Sequence, residues 1–344
     1  MDLKERIEIL ASFGKDLDAI CKGNKVDGFP GFEKIKAYNP WFTEDNVKFC
    51  MDNWRKQLDK ENLELFCNKY TISDQLSDLR VGIVMAGNIP MVGFHDFICA
   101  VLCGVKIIAK LSSKDNVLMK WAIDRIVAKS DKLEGRIGYT EERLSDFDAV
   151  IATGSNNTNR YFEYYFNKYD KILRHNRNSV AIITGEETDE DLAKLADDVF
   201  LYFGLGCRSV SKIYVPEGYD FNRMGTAFQK YADIINHNKY NNNYSYQYAV
   251  MGMNKIEHVN FGNLLLTEKK DLNSPIGVLH FEYYTDLEQV VDNIEQQSNN
   301  IQCVVAQKNI SEKYIGFGET QKPNIYNFAD NIDTIKFITG LCKR

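Results

Sequence analysis

The sequence predicts an α/β protein of two doubly wound, parallel-sheet lobes with a cleft between them and an N-terminal helical segment. Apolar runs of strand length, RVGIVMAG, VKIIAKL and FDAVIATG, alternate with helical patterns from residue 80 onward. That alternation is the mark of βαβ units and a parallel sheet. A second series beginning with SVAIIT and SKIYV repeats it. With 344 residues, 44% hydrophobic and 26% charged, the chain is long enough for two such lobes, each with its own core.

Residues 1 to about 70 read as helices. MDLKERIEIL is amphipathic; a further helix follows Thr43, with Val47, Met51, Trp54 and Leu58 on one face, and another follows Asp59. RVGIVMAG is a buried strand, NIPMVG a turn, Phe94 to Cys103 an apolar helix, and VKIIAKL a second strand. A polar loop, SSKD, leads to a helix through Trp121 and Ile126, then FDAVIATG and a helix from Asn157 to Tyr165. In the second lobe SVAIIT precedes a helix expected from Glu190 to Phe203, a turn at Cys207, the strand SKIYV and a long helix from Phe221 to about Asn236. The Asn/Tyr-rich stretch NHNKYNNNYSYQY reads as an ordered surface element, because its tyrosines and the AVMGM that follows do not suit a linker. Strands near 263–267, 277–283 and 301–306 flank a helix at 287–294. The domain division expected is 1–177 for the helices and first lobe, 178–318 for the second, with 319–344 packing back on the first lobe or on a partner subunit.

A net charge of −6 gives no electrostatic reason to bind nucleic acid or an anionic membrane. No apolar run approaches membrane-spanning length, and the N-terminus lacks a signal-peptide pattern, so a cytoplasmic protein is expected. The eight cysteines contain no C-x-x-C, the usage of reduced thiols rather than of a disulfide framework or a zinc site.

Parallel sheets bind ligands beyond the carboxyl ends of their strands. Three polar turns stand there: GNIP with Asn88, KLSS with Lys110, Ser112 and Ser113, and TGSN with Gly154 and Ser155. Neither G-x-G-x-x-G nor a P-loop is present. A lysine ending a buried strand beside two serines suits ribose hydroxyls or a phosphate, and a Gly-Ser helix start offers backbone N–H groups to a pyrophosphate. Cys207 lies on a turn between Gly206 and Arg208, a setting that exposes a thiol and biases it toward thiolate.

This order (MAGNIPMVGFHDFICAVLCGVKIIAKLSSKD, VIATGSNNTNRYF, then FGLGCRSVSKIYV) resembles the aldehyde dehydrogenase superfamily, and within it the fatty acyl-CoA reductases of the bacterial luminescence type, the LuxC-like family. The resemblance implies an aldehyde dehydrogenase-like fold and reduction of a fatty acyl thioester to the aldehyde. It implies Cys207 as nucleophile and Asn88 as an oxyanion donor, with Lys110, Ser112 and Ser113 around the adenosine ribose and Gly154 with Ser155 near the pyrophosphate. The first lobe is then the NADP-binding one and the second the catalytic one. The place of the water-activating glutamate falls at Arg174, which cannot act as a base; His175 is a candidate substitute, or simply a strand-end histidine. Ser113 stands where an acid would contact the 2′-hydroxyl, and with Lys114 beside it NADPH is favoured over NADH. The family's Glu-x-Phe-Gly-Pro motif has no match near NSPIGV, and an oligomerisation flap missing or reduced is expected. The partners implied are acyl-CoA or an acyl carrier, an acyl-transferring enzyme and a second copy of the chain. The rival functions are an acid-forming aldehyde dehydrogenase and a catalytically idle binding subunit.

Overall fold

The computed structural model describes residues 1–154 and 156–343, and the side chains of Asn156 and Asn157 lie outside that description. The chain forms two compact units, Met1–His175 with Pro323–Arg344, and Asn176–Lys322.

Among the described residues the first unit holds five strands: β1 (Arg80–Val84), β2 (Lys106–Lys110), β3 (Ile137–Thr140), β4 (Ala149–Thr153) and β5 (Asp170–Arg174). They are ordered β3-β2-β1-β4-β5, every neighbouring pair parallel. The chain winds outward from β1 to β3, then crosses back to place β4 on the other side. That reversal makes the β1/β4 boundary a topological switch point, where loops leaving the strand ends diverge and open a crevice. β1 and β4 are short apolar runs buried on both faces along most of their length, as a sheet covered by helices requires.

The helix Phe94–Cys103 is buried on nearly every side. Its Phe94, Phe97, Ile98 and Leu102 are fully enclosed, each such side chain contributing about 1.5–3 kcal/mol of hydrophobic stabilisation. The N-terminal helix Leu3–Cys21 starts at an Asp2–Glu5 capping box and presents Leu10, Phe13 and Leu17 to this core. Phe13 meets Phe94 and Trp121 at ring separations of 5.6 and 5.5 Å. The last helix, Thr334–Leu341, is capped by Asp333 and packs on Phe94–Cys103.

The second unit holds β6 (Asn178–Ile182), β7 (Val210–Pro216), β8 (Val259–Asn260), β9 (Leu265–Glu268), β10 (Val278–Tyr284) and β11 (Ile301–Val305). Their order is β11-β6-β7-β10-β9-β8, with only the short β8/β9 pair antiparallel among the described residues. Two helical expectations need correction. The helix expected to reach Phe203 is Asp189–Phe200, because Tyr202, Phe203 and Gly204 all turn left-handed. The long helix expected from Phe221 is broken into Asn222–Phe228 and a tighter 3₁₀ stretch to Asn236, with a kink at Tyr231. The Asn/Tyr-rich stretch is itself a helix, Asn238–Met253. Among the described residues no helix is long and apolar enough to cross a membrane.

Candidate active site

In the first unit the three polar turns follow β1, β2 and β4. The turn after β2 is closed by the Asp115 N–H donating to the Ser112 carbonyl at 3.0 Å. Asn39 of the N-terminal segment fixes it from outside, its Nδ2 donating to the Lys114 carbonyl at 3.0 Å. Gly87, next to Asn88, lies against this turn. A Cβ there would stand 2.6 Å from Ser112 Oγ and 3.1 Å from the Asp115 nitrogen, so only glycine lets the two loops meet. Past Gly87 the half-buried Asn88 leads to Met91, whose backbone is left-handed at φ 54°. The Met91 N–H donates to Asp115 Oδ2 at 2.7 Å. Burial pushes the Asp115 carboxyl well above the usual carboxylate range, against the backbone donors of Met91 and Met119. One buried acid thus joins the Asn88 loop to the Ser112–Lys114 loop.

Beyond the ends of β1 and β2 lies a depression of about 370 Å³, lined by Val84, Met85, Lys110, Leu111, Ser112, Ser113 and Glu141. The Lys110 ammonium donates to the Glu141 carbonyl at 3.0 Å. Glu141, the residue after β3, had no place in the sequence reading. After β4, Gly154 packs so closely that a Cβ would meet the Phe162 ring at 2.8 Å. Ser155 lies outside the described residues. This depression beyond β1 and β2, with a lysine and two serines on its wall, fits a dinucleotide's ribose and phosphates. Lys110, Ser112, Ser113 and the Gly154 backbone would hold it.

Arg174 ends β5 and is buried, not exposed to a substrate. Its Nε and Nη2 grip Asp96 at 3.0 and 2.6 Å, Nη2 also donates to Thr334 Oγ1 at 2.9 Å, and Nη1 donates to the Ala329 carbonyl. Burial works against the Asp96 charge, but the guanidinium overcomes it and holds the carboxyl below its ordinary value. Arg174 is therefore the clamp for the returning C-terminal segment. His175 is exposed, and its backbone N–H donates to Asp330 Oδ2 at 3.1 Å. The Asn159 Nδ2 lies 3.1 Å from His175 Nδ1 and donates to the Arg174 carbonyl at 2.8 Å. That carbonyl fixes the amide's orientation, so His175 Nδ1 accepts and, in the neutral ring, Nε2 carries the proton. The nitrogen left facing outward is a donor and offers no lone pair to water.

In the second unit Cys207 is half-buried, where an exposed cysteine was expected. The turn Gly206–Ser209 carrying it is closed by the Ser209 N–H donating to the Gly206 carbonyl at 3.0 Å, and Ser179 Oγ donates to the Cys207 carbonyl at 2.9 Å. Just before it the backbone is left-handed at Tyr202, Phe203 and Gly204 (φ 54°, 58° and 72°). For bulky residues this is strained by roughly 1–3 kcal/mol each, and such strain persists only where packing enforces it. Here both aromatic side chains are buried, and Phe203 lies on the His237 ring with centroids 4.4 Å apart.

A strap formed by Gly318–Gln321 holds the far side of the turn. Arg208 Nε donates to the Thr320 carbonyl at 2.6 Å, and Gln321 Nε2 to Ser209 Oγ at 3.2 Å. The strap is anchored on Asp198, which accepts from Gly318 N at 2.7 Å, Thr320 N at 3.0 Å and Thr320 Oγ1 at 2.7 Å. Burial nonetheless pushes the Asp198 carboxyl up to about 6. The other thiols are differently placed. Cys21, Cys50, Cys67, Cys99 and Cys103 lie in helices, Cys303 in β11, and Cys342 caps the last helix. Burial pushes Cys67 up to about 12 and Cys99, Cys103 and Cys303 upward as well, so these keep their protons.

Residues 48–315 match the acyl-CoA reductase (LuxC) family. No curated protein matches the chain. Solved structures that resemble it are aldehyde dehydrogenases. Aldehyde dehydrogenase 21 from Physcomitrella patens, in complex with the reaction product succinate, is 13% identical with a TM-score of 0.69, covering 99% of this chain and 84% of that one. An aldehyde dehydrogenase from Bacillus cereus in its NAD+ complex is 13% identical, TM-score 0.64, covering 92% and 75%. The Mycobacterium tuberculosis aldehyde dehydrogenase complexed with NAD+ is 14% identical, TM-score 0.61, covering 92% and 77%. The fold is aldehyde dehydrogenase-like.

Proposed function

Since the chain belongs to the acyl-CoA reductase (LuxC) family and is an oxidoreductase of aldehyde chemistry, we propose that it reduces a fatty acyl thioester to the aldehyde through a thioester on Cys207, with NADPH as the favoured cofactor. The observation that carries this reading is the Gly206–Ser209 turn, which holds a half-buried cysteine while burial keeps Cys67, Cys99, Cys103 and Cys303 protonated. The Cys207 sulfur attacks the acyl carbonyl of acyl-CoA, or of an acyl group delivered by a partner enzyme. The bond from carbon to the carrier sulfur breaks, and the carrier leaves as a thiol with the proton. Asn88 and the Cys207 N–H stabilise the oxyanion that forms on the way. When bound, a reduced nicotinamide supplies the hydride that converts the Cys207 thioester to aldehyde and frees the thiolate. The exposed Ser113 and Lys114, where an acid would otherwise meet the 2′-hydroxyl, favour the 2′-phosphate of NADPH.

The acid-forming alternative needs a base to activate water. Arg174 is committed to Asp96, and the outward nitrogen of neutral His175 is a donor. Both facts favour carrier thiol over water.

Intact-protein mass after incubation with acyl-CoAs of graded length, without cofactor, tests the reading. Wild type should gain one acyl group and release aldehyde on adding NADPH. Cys207→Ala should gain none, and Asn88→Ala should acylate about 10²–10³ more slowly with unchanged cofactor affinity. An acyl adduct persisting on Cys207→Ala would place the nucleophile elsewhere, and the absence of any adduct on wild type would favour an idle binding subunit.

A further inference from the structure

Glu141 is the residue in the depression beyond β1 and β2 that the reductase reading leaves without a role. It stands directly after β3, on the wall of the depression that also holds Lys110, Ser112 and Ser113. Two contacts fix it there. Its carbonyl accepts from the Lys110 ammonium at 3.0 Å, and its Oε2 accepts from Asn116 Nδ2 at 3.4 Å. Asn116 opens the helix that follows the Ser112–Asp115 turn, so the carboxylate leans toward the loop carrying Ser113 and Lys114. The Asn116 amide has one workable orientation, because turning it over would set its oxygen against the carboxylate.

We propose that Glu141 weighs the two nicotinamide cofactors against each other: its carboxylate accepts from the 2′-hydroxyl of an adenosine ribose and repels a 2′-phosphate. It thereby opposes the preference that Ser113 and Lys114 create. The proposal rests on the reading of this crevice as the cofactor site. A carboxylate at a strand end is the usual partner of a free 2′-hydroxyl, and the same charge disfavours a phosphate through like-charge repulsion and lost solvation. With a lysine on the loop toward which the Glu141 carboxylate leans, the protein uses both cofactors, and the identity of residue 141 sets the ratio.

Calorimetric affinities for NAD+ and NADP+ test this on wild type, Glu141→Gln and Glu141→Ala, without any turnover. Glu141→Gln keeps the shape and the Asn116 contact but loses the charge. Its NADP+:NAD+ affinity ratio should rise about tenfold, the scale of one charge contact at a partly solvated surface. Glu141→Ala should move the ratio the same way. The shift should shrink in about 0.5 M salt, because exposed charges are screened there, whereas a purely structural role would not respond to salt. A ratio within twofold of wild type in both variants would overturn the proposal, as would failure of wild type to bind either nucleotide. Acylation of Cys207 in the absence of cofactor is read separately, so loss of the reductase reading and loss of this one are distinguishable.

Discussion

Asp96 in the first unit and Asp198 in the second are both buried carboxylates that hold a segment arriving from far along the chain. Asp96 does so through a charge, the Arg174 guanidinium, with Thr334 Oγ1 donating at 2.7 Å. Asp198 does so with neutral donors alone, the N–H groups of Gly318 and Thr320 and the Thr320 hydroxyl. The consequence is opposite in sign. The ion pair holds Asp96 below its ordinary 3.8, whereas burial, with Asp197 adding to it, raises Asp198 to about 6. A cation outweighs desolvation, and three neutral donors do not. The stiff clamp uses Arg174, the residue that the family resemblance aligns with a water-activating glutamate. The softer clamp carries the strap that holds Arg208 and Ser209 beside the Cys207 turn.

The largest expected effect comes from breaking the charged clamp. Arg174→Ala leaves Asp96 buried and ionised without a counter-charge, and strips donors from Ala329 and Thr334. It should cost about 3–5 kcal/mol, read as a drop in the denaturant midpoint. Replacing both members together, Asp96→Leu with Arg174→Met, should cost markedly less, since no charge is then stranded. A loss below about 1 kcal/mol in Arg174→Ala would mean that the pair is not the clamp. For the same reason Arg174→Glu would not install a hydrolytic base. It would set two carboxylates against each other in a buried site, and the protein should unfold before it hydrolyses anything.

The neutral clamp predicts a smaller, pH-dependent effect. A carboxyl whose native value is raised contributes stability that is fully present below its unfolded value of 3.8 and lost as pH rises through about 6. Asp96 behaves in the reverse sense: its contribution is present above 3.8 and drains only as pH falls below it. Asp198→Asn removes one titration and leaves the other. The stability difference between wild type and this variant should therefore change by on the order of 2–3 kcal/mol from pH 4 to pH 7, moving against wild type as pH rises. Denaturant midpoints across that range measure it. A difference flat with pH would show that Asp198 does not titrate there.

The inner parts of both sheets were legible because β1, β2, β4, β6 and β7 are apolar runs bounded by turn residues, and the polar turns after them followed directly. The edges were not. In the first unit β3 and β5 are the outer strands, and their half-exposed sequences IGYT and DKILR carry no apolar run. Missing β3 hid Glu141, since a residue is recognised at a strand end only once the strand is recognised. The left-handed turn before Cys207 was hidden for another reason. Val199, Phe200, Tyr202 and Phe203 are all buried, so apolar spacing continues past the point where the backbone reverses. Arg174 and Asp96 are 78 residues apart, and Asp198 lies 120 and 122 residues from its strap. Pairings at such separations leave no local trace, which is why Arg174 looked like an altered catalytic position and not a clamp.

The smallest effect separates His175 from its neighbour. Arg174 and His175 are adjacent in sequence, yet one is buried in an ion pair and the other exposed at the strand end. What His175 contributes to the fold comes chiefly from its backbone N–H on Asp330, and that bond survives any side-chain change. Its ring accepts from Asn159, so the outward Nε2 of the neutral ring is a donor and cannot draw a proton from water. His175→Ala should therefore change the lifetime of the Cys207 acyl-enzyme in buffer by less than about twofold, where removal of a true general base costs about 10²–10⁴. Stability should fall only by roughly 0.5–1.5 kcal/mol, the worth of the lost Asn159 hydrogen bond. The measurement is the decay of acylated protein by intact mass at pH 7, with and without added CoA. Decay slowed tenfold or more by the substitution, in the absence of thiol, would make His175 a base after all and return the acid-forming reaction to consideration.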